Sequence, residues 1–112
     1  MAGKYEIKRA GAGGAQYMFN LKAGNGEVIL TSELYQAKAG AENGIKSVQK
    51  NSPNDDRYER KTASNGQHYF VLVAGNGEVT GRSELYTTSQ ARDKGIESCK
   101  VNGPTTRVDD LT

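Results

Sequence analysis

The sequence is poor in several residue types, and each shortage excludes a class of protein. Its 112 residues include one cysteine, so no disulfide can form within the chain. Tryptophan is absent and aromatic residues make up 7%, which predicts a small core rimmed by tyrosine rings. The longest apolar run, at positions 70–74, is far shorter than the roughly 18 residues of a membrane span. We therefore expect a cytoplasmic protein with no signal peptide and no membrane contact.

An excess of charge of one sign is also lacking. There are 15 lysines and arginines against 13 acidic residues, which gives a net charge of +2. Proteins that bind polyanions usually carry a larger excess of positive charge, clustered on one face. The balance predicts solubility and does not favour nucleic-acid binding.

A unit of about fifty residues is present twice. The sequence Gly-Asn-Gly-Glu-Val at 24–28 returns at 75–79, and Ser-Glu-Leu-Tyr at 32–35 returns at 83–86. The offset is 51 in both cases. Half of such a chain is too short to bury a stable core, so the units should share one. We expect one domain over residues 1–112, with repeat 1 at about 1–56 and repeat 2 at about 57–112.

Each unit begins with a pattern typical of β-strands. Residues 16–23 alternate between apolar and polar, with Tyr17, Phe19 and Leu21 on one side. The Asn-Gly pair after them is a strong hairpin signal, because both residues tolerate positive φ. Single strands at 4–9 and 57–62 precede the two hairpins.

The second part of each unit has a helical period. Apolar residues recur at i, i+4 and i+7 within 37–50, at Ala41, Ile45 and Val48. The matching positions within 89–101 are Arg92, Ile96 and Cys99. Thr87 and Gln90 could form a capping box at the start of the second helix. Prolines 53 and 104 end the helices, and residues 105–111 read as a final strand. Three strands, a helix and a strand per unit predict an α+β fold with both helices on one face of a mainly antiparallel sheet.

Few residues are candidates for chemistry. Gly44 and Gly95 lie inside the helices, where glycine is unfavourable, so we expect the helix backbone to lie against the sheet without room for a Cβ. In Ser-Glu-Leu-Tyr we expect the leucine to anchor the start of the helix and the tyrosine to pack at the rim. His68 lacks partners at metal-ligand spacing, and Cys99 lies on the buried helical stripe. We therefore predict no catalytic, metal-binding or cofactor-binding residue.

One feature of the strands is not explained by folding alone. On the side opposite the core residues, the first copy carries polar residues and a methionine, whereas the second carries a tyrosine and two valines. With both helices on the other face, these apolar residues should point to solvent and form a contact surface. We predict a partner-contact strip with four apolar anchors and one cation at its rim: Met18, Tyr69, Val71, Val73 and Lys22.

The sequence leaves three kinds of function open. We favour a small monomeric binding or interaction module with a protein partner. One alternative is single-stranded nucleic-acid binding, in which sheet aromatics near Lys22, Lys61 and Arg82 stack on bases. The other is an enzyme with an unrecognised site, although no nucleophile, base and orienting group are grouped at a usable spacing.

Four segments together resemble one protein family over nearly the whole chain. These are Leu-Lys-Ala-Gly-Asn-Gly-Glu-Val-Ile, Thr-Ser-Glu-Leu-Tyr, Asn-Gly-Ile-Lys-Ser-Val and the Asn-x-Pro stop. The combination is similar to the YegP-like bacterial proteins. The resemblance implies two tandem β3-α-β repeats in a single sheet, with the C-terminal strands exchanged between repeats. It implies no site residues, because the family has no established biochemical function.

Overall fold

A computed structural model describes residues 3–112. The first repeat forms β1 (Lys4–Ala10), β2 (Gln16–Lys22), β3 (Val28–Ser32) and α1 (Lys38–Asn51). The second forms β4 (Tyr58–Thr62), β5 (His68–Val73), β6 (Val79–Arg82), α2 (Ser89–Asn102) and β7 (Val108–Asp110). Short 3-10 turns follow β1 and α1, at Ala12–Gly14 and Asp55–Arg57. Within residues 3–112, no helix is long and apolar enough to cross a membrane.

The two repeats share one seven-stranded sheet in the order β4-β5-β6-β3-β2-β1-β7. They meet at the antiparallel pair β3–β6, where Thr31 lies opposite Arg82, its own counterpart at the offset of 51. This pair therefore lies on an internal pseudo-twofold axis. β7, the last strand of the second repeat, runs parallel to β1 of the first. The mainly antiparallel shared sheet and the exchanged C-terminal strand are confirmed.

The Asn-Gly turns produce the two central hairpins. Gly26 and Gly77 have φ of 89° and 86°, a region that side chains disfavour. The Asn25 side chain accepts a hydrogen bond from the Glu27 amide at 3.0 Å, and the second copy repeats this contact. The local sequence thus fixes the turn that joins β2 to β3 and β5 to β6.

Both helices pack on the same face of the sheet. The apolar stripes predicted for the helices are buried, apart from Arg92 at the first stripe position of α2, which is only partly covered. Burial raises the pKa of the Cys99 thiol to about 11, so it is protonated at neutral pH. The centre of the core is formed by fully buried side chains from both repeats: Tyr5, Phe19, Leu21, Leu30, Val48, Phe70, Leu72 and Ile96.

The helical glycines allow close contact with tyrosine rings. A Cβ added at Gly44 would clash with the Tyr35 hydroxyl and would lie 2.9 Å from Cε2 of Phe19. Gly95 lies against the Tyr86 hydroxyl in the same way. The prediction that these glycines reflect close packing is confirmed.

Two tyrosines join the repeats at the helix ends. The Tyr5 hydroxyl donates a hydrogen bond to the Gly103 carbonyl at 2.5 Å, just beyond α2. Tyr58 donates to the Ser52 carbonyl at 2.6 Å, just beyond α1. Each helix end is therefore held by the first strand of the other repeat. Burial raises the pKa of both tyrosines.

One local prediction is wrong, and one is confirmed over a shorter range. The side chain that caps α2 is Thr88, which accepts a hydrogen bond from the Ala91 amide at 3.0 Å, and not Thr87. The final strand covers only Val108–Asp110, and Val108 and Leu111 keep 40% and 57% of their surface exposed. β7 is an edge strand with only one neighbour, so its side chains are covered from one side only.

Candidate functional site

The face of the sheet opposite the helices is called the open face here. The strand register places one residue of each strand in a row across it, and the row passes through the pseudo-twofold axis. From β4 to β7 the row reads Glu59, Val71, Arg82, Thr31, Asn20, Glu6 and Asp109. The two halves of this face differ in chemistry.

The half formed by the first repeat is a compensated charge network. The Glu6 carboxylate, whose side chain is 9% exposed, lies 2.9 Å from Lys22, 3.3 Å from Lys4 and 3.6 Å from Lys8. Lys4 also lies 3.0 Å from Asp109 on the neighbouring edge strand. The pKa of Glu6 is lowered mainly by the hydrogen bond that Lys22 donates to its carboxylate. Charges here are largely satisfied within the protein.

In the half formed by the second repeat, here called the apolar half, the apolar strand β5 lies between charged residues of β4 and β6. Along β5, Tyr69, Val71 and Val73 alternate with Phe70 and Leu72, which belong to the core beneath the helices. All five residues of the predicted strip thus lie on the open face, since Met18 and Lys22 alternate with core residues of β2 in the same manner.

The strip is less exposed than the sequence predicts. Val71 and Val73 are only 3% and 9% exposed, so the prediction that they point freely to solvent is wrong. In the row across the sheet Val71 lies between Glu59 and Arg82, whose longer side chains flank it. Tyr69 is half-buried. Met18 is likewise half-buried, and the Lys22 side chain is 23% exposed.

The repeated Ser-Glu-Leu-Tyr motif fixes the chain after each central strand. The Ser32 hydroxyl accepts from the Phe19 amide at 2.8 Å, and Ser83 does the same at 3.0 Å in the second copy. Tyr35 forms a two-way backbone bridge with Tyr17, with both N···O distances at 2.8 Å. The motif thus extends the strand pairing by one bridge and seats the tyrosine against the helical glycine.

The leucines of this motif do not anchor the helices as predicted. Leu34 is 52% exposed and Leu85 is 46% exposed. The backbone bridge turns Tyr35 inward, and successive residues of an extended chain point to opposite sides, so the preceding leucine points outward. Tyrosine is therefore the anchor in both copies.

Two equivalent clefts, the junction clefts, lie where β3 and β6 diverge. Each combines Ser-Glu-Leu-Tyr and the helix of one repeat with the Gly-Asn-Gly-Glu-Val hairpin of the other. The first is lined by Glu33, Tyr35, Gly44, Ser47, Glu78 and Val79. The second is lined by their counterparts Glu84, Tyr86, Gly95, Ser98, Glu27 and Val28. Burial, and then the nearby Glu33 and Glu78 carboxylates, raise the pKa of Tyr35. The sequence points to the shared Glu and Tyr of Ser-Glu-Leu-Tyr as a pseudo-twofold pair, but it does not predict the hairpin of the other repeat that completes each cleft.

The remaining titratable candidates do not form a reactive centre. His68 replaces Tyr17 and makes the same backbone bridge, here to Tyr86, with N···O distances of 2.8 and 2.7 Å. Its Nδ1 atom is buried without a hydrogen-bond partner in the part of the chain that the structure describes. Among those residues, no three His, Cys, Asp or Glu side chains converge as metal ligands do.

Known proteins share this architecture. The model of the family described as "Domain of unknown function (DUF1508)" matches residues 13–59 and, a second time, residues 63–110. The chain belongs to this family. The double match agrees with the internal duplication, and together with the relatives below it confirms the YegP-like resemblance.

Relatives of this family match the chain over its full length. A UPF0339 protein of Acinetobacter baylyi is 62% identical over all 112 residues, which cover 99% of that protein. YegP of Escherichia coli K12 is 53% identical, with all of both chains covered. Two solution NMR structures have the same fold with a TM-score of 0.92. One is YegP of E. coli, which is 53% identical; the alignment covers all of this chain and 95% of the YegP chain. The other is a UPF0339 protein of Shewanella oneidensis, which is 52% identical; the alignment covers all of this chain and 93% of that protein's chain. These relatives are themselves uncharacterised, so they place no functional residue.

Proposed function

We propose that this protein is a small, non-catalytic binding module that contacts a protein partner through the open face of its sheet. The observation that carries the proposal is the difference between the two halves of that face. At equivalent positions the first repeat has Asn20 and Lys22, whereas the second has Val71 and Val73. The same fold accepts polar residues at these positions, so folding does not require the apolar ones.

The burial of the valines changes which residues would meet the partner. Tyr69 and Met18 keep part of their surface exposed and serve as the contacts, with Lys22 at the rim. Val79, which is 37% exposed and pairs with Val73, extends the apolar surface toward the next strand. Val71 and Val73 then support this surface from within the sheet.

Charges bordering the apolar half favour a partner with carboxylates. Lys61 lies opposite Tyr69, and Arg82 lies opposite Val71. Both cations form only long ion pairs: the nitrogen of Lys61 lies 3.5 Å from a Glu59 oxygen, and that of Arg82 lies 3.8 Å from a Glu33 oxygen. Exposed ion pairs at such distances contribute little, so both cations can pair with an incoming carboxylate. An apolar patch edged by acidic residues is the complementary surface.

The two alternative functions have less support. Stacking of single-stranded nucleic acid needs several exposed rings, and within residues 3–112 the open face carries one aromatic ring, that of Tyr69. The other sheet aromatics lie on the helical side, in or against the core. For an enzyme, the Cys99 thiol is buried and protonated, and His68 lies in a backbone bridge. A nucleophile needs the thiolate form and access to substrate.

The proposal is tested by capture from native lysate with paired variants. Tyr69→Glu places a charge in the apolar half, while Val101→Glu makes an apolar-to-charged change at a residue that is 78% exposed on α2. Thermal unfolding first establishes that both variants are folded. We expect wild type and Val101→Glu to retain the same protein partner and Tyr69→Glu to lose it. Retention by all three, or loss only with Val101→Glu, would place the contact elsewhere. A captured species that nuclease removes would favour nucleic acid instead.

A further inference from the structure

A second concave surface, the basic groove, lies between α1 of the first repeat and the β5–β6 turn of the second. Its volume is about 520 Å³. It opens into the first junction cleft, with which it shares Asn43, Ser47, Ala74 and Asn76. The groove therefore exists only because the two repeats share one sheet.

Three cations converge on the basic groove: Lys46, Lys50 and Arg57. Two of them are one helical turn apart, an arrangement in which like charges repel. No carboxylate lines the groove, and none of the three forms an ion pair with any residue that the structure describes. On the other helix, by contrast, Lys100 lies 2.7 Å from Asp55.

Arg57 is held in position by groups that carry no charge. Its Nε donates to the Asn51 side-chain oxygen at 3.2 Å. The Asn51 amide nitrogen in turn donates to the Ser47 carbonyl at 2.8 Å, so both ends of this side chain are occupied. A Cβ added at Gly75 would lie 3.6 Å from Nη2 of Arg57, which places the guanidinium beside the turn. The terminal nitrogens thus remain available to an anion in the groove.

The second repeat shows that the fold does not need this triad. At the positions of Lys46 and Lys50, the second helix carries Glu97 and Val101. The counterpart of Arg57 in the first strand is Lys4, which is neutralised on the open face. The triad therefore occurs at only one of the two equivalent places in the described fold, unlike the junction clefts, which occur at both.

We infer that the basic groove binds a small molecule through a phosphate group. Three uncompensated cations, with amide and hydroxyl donors from Asn43, Asn76 and Ser47, match the charge and acceptor oxygens of a phosphate. Glu33 and Glu78 line the adjoining cleft, which shares four lining residues with the groove.

These two carboxylates distinguish between phosphate-bearing ligands. They would repel a nucleic-acid strand that continued along the groove, because it would bring further phosphates beside them. They suit a ligand whose remaining part is neutral or positively charged. The ligand class is therefore a small phosphate monoester, with an amine as the favoured second group.

The test is a titration of the ¹⁵N-labelled full chain, followed by NMR, with inorganic phosphate and with phosphoethanolamine. We expect shifts at the amides of Gly75 and Asn76 and at the side-chain Nε–H of Arg57, with tighter binding of phosphoethanolamine. Lys46→Glu, which copies Glu97, should weaken both probes by about tenfold or more. Lys94→Glu makes the same change on α2 and should leave binding unchanged.

Each other outcome overturns the inference. If millimolar phosphate causes no chemical-shift change at these amides or at the Arg57 side chain, the groove does not bind phosphate. If Lys46→Glu and Lys94→Glu weaken binding of the probes equally, the probes are attracted only by the overall charge of the protein and not by the groove. If a short single-stranded oligonucleotide shifted the same amides more tightly than either probe, the ligand would be a nucleic acid and not a small phosphate ester.

Discussion

Replacement of Gly44 by alanine tests the packing between helix and sheet. In an exposed helix this change stabilises by about 1 kcal/mol, because glycine is a poor helix former. Here the new methyl group would clash with the Tyr35 hydroxyl and would lie 2.9 Å from Cε2 of Phe19, a fully buried ring. Overpacking of a core costs about 1–3 kcal/mol. The difference between the two effects is a net loss of about 0–2 kcal/mol, and we expect the upper part of this range because the added methyl group meets two rings.

The equivalent change in the second helix should be milder. At Gly95 the added Cβ meets the tyrosine as closely as at Gly44, but it would lie 3.2 Å from Cε2 of Phe70, so the fully buried ring needs to move less. Gly40→Ala is the matched control on α1, because the second repeat already has Ala91 at that position and the nearest atom is a Tyr35 ring carbon at 3.2 Å. It should be neutral or stabilising by up to about 1 kcal/mol.

Thermal unfolding followed by circular dichroism measures these effects. For a domain of this size, 1 kcal/mol corresponds to a Tm shift of about 3–6 °C. Gly44→Ala combined with Tyr35→Phe removes the clashing hydroxyl and should recover part of the loss, which a double-mutant cycle detects as coupling. Stabilisation by both Gly44→Ala and Gly95→Ala, or additivity in the cycle, would refute the packing explanation.

Three further predictions concern the shared sheet and its charges. Residues 1–52 alone should be unfolded or dimeric by sedimentation and circular dichroism, because half of the sheet and core is missing; a folded monomer would contradict the shared core. Deletion of residues 104–112 should destabilise by about 2–4 kcal/mol, since it removes the parallel strand that covers β1; an unchanged Tm would contradict this. The pKa of Glu6 is lowered from 4.5, mainly by Lys22, so its stabilising effect is present above that pH and is lost as the pH falls through the lower folded value. Glu6→Gln should therefore flatten the loss of stability below pH 4.5, and an unaltered acid profile would show that the network does not stabilise the fold.

The sequence predicts those features that depend on local patterns. Asn-Gly turns, alternating strands and the helical stripes specify the elements, and the constant offset relates the copies. Close packing at Gly44 also follows from sequence, because an interior glycine kept in both helices needs a steric reason. The alternative cap at Thr88 shows the limit, since two adjacent threonines are equally good candidates.

Other features depend on which strands become neighbours. Val71 is buried between Glu59 and Arg82, which become its neighbours only through strand pairing, so its burial cannot be inferred from alternation along β5. The basic groove brings α1 of one repeat to the hairpin of the other, and its third cation, Arg57, precedes a different strand. Lys46 and Lys50 can be recognised in the sequence as two lysines four residues apart on a helix. Without the third cation, however, such a pair predicts only a helix surface that faces solvent.

The most direct test of the proposed function is photo-crosslinking from the open face inside the cell. A photoreactive phenylalanine derivative replaces Tyr69 in one sample and Val101 in another, and crosslinked products are identified by mass spectrometry. The open-face proposal predicts a discrete protein adduct from position 69 and none from position 101. An adduct from position 101 alone, or none from position 69 in a folded protein, would contradict a partner contact on this face.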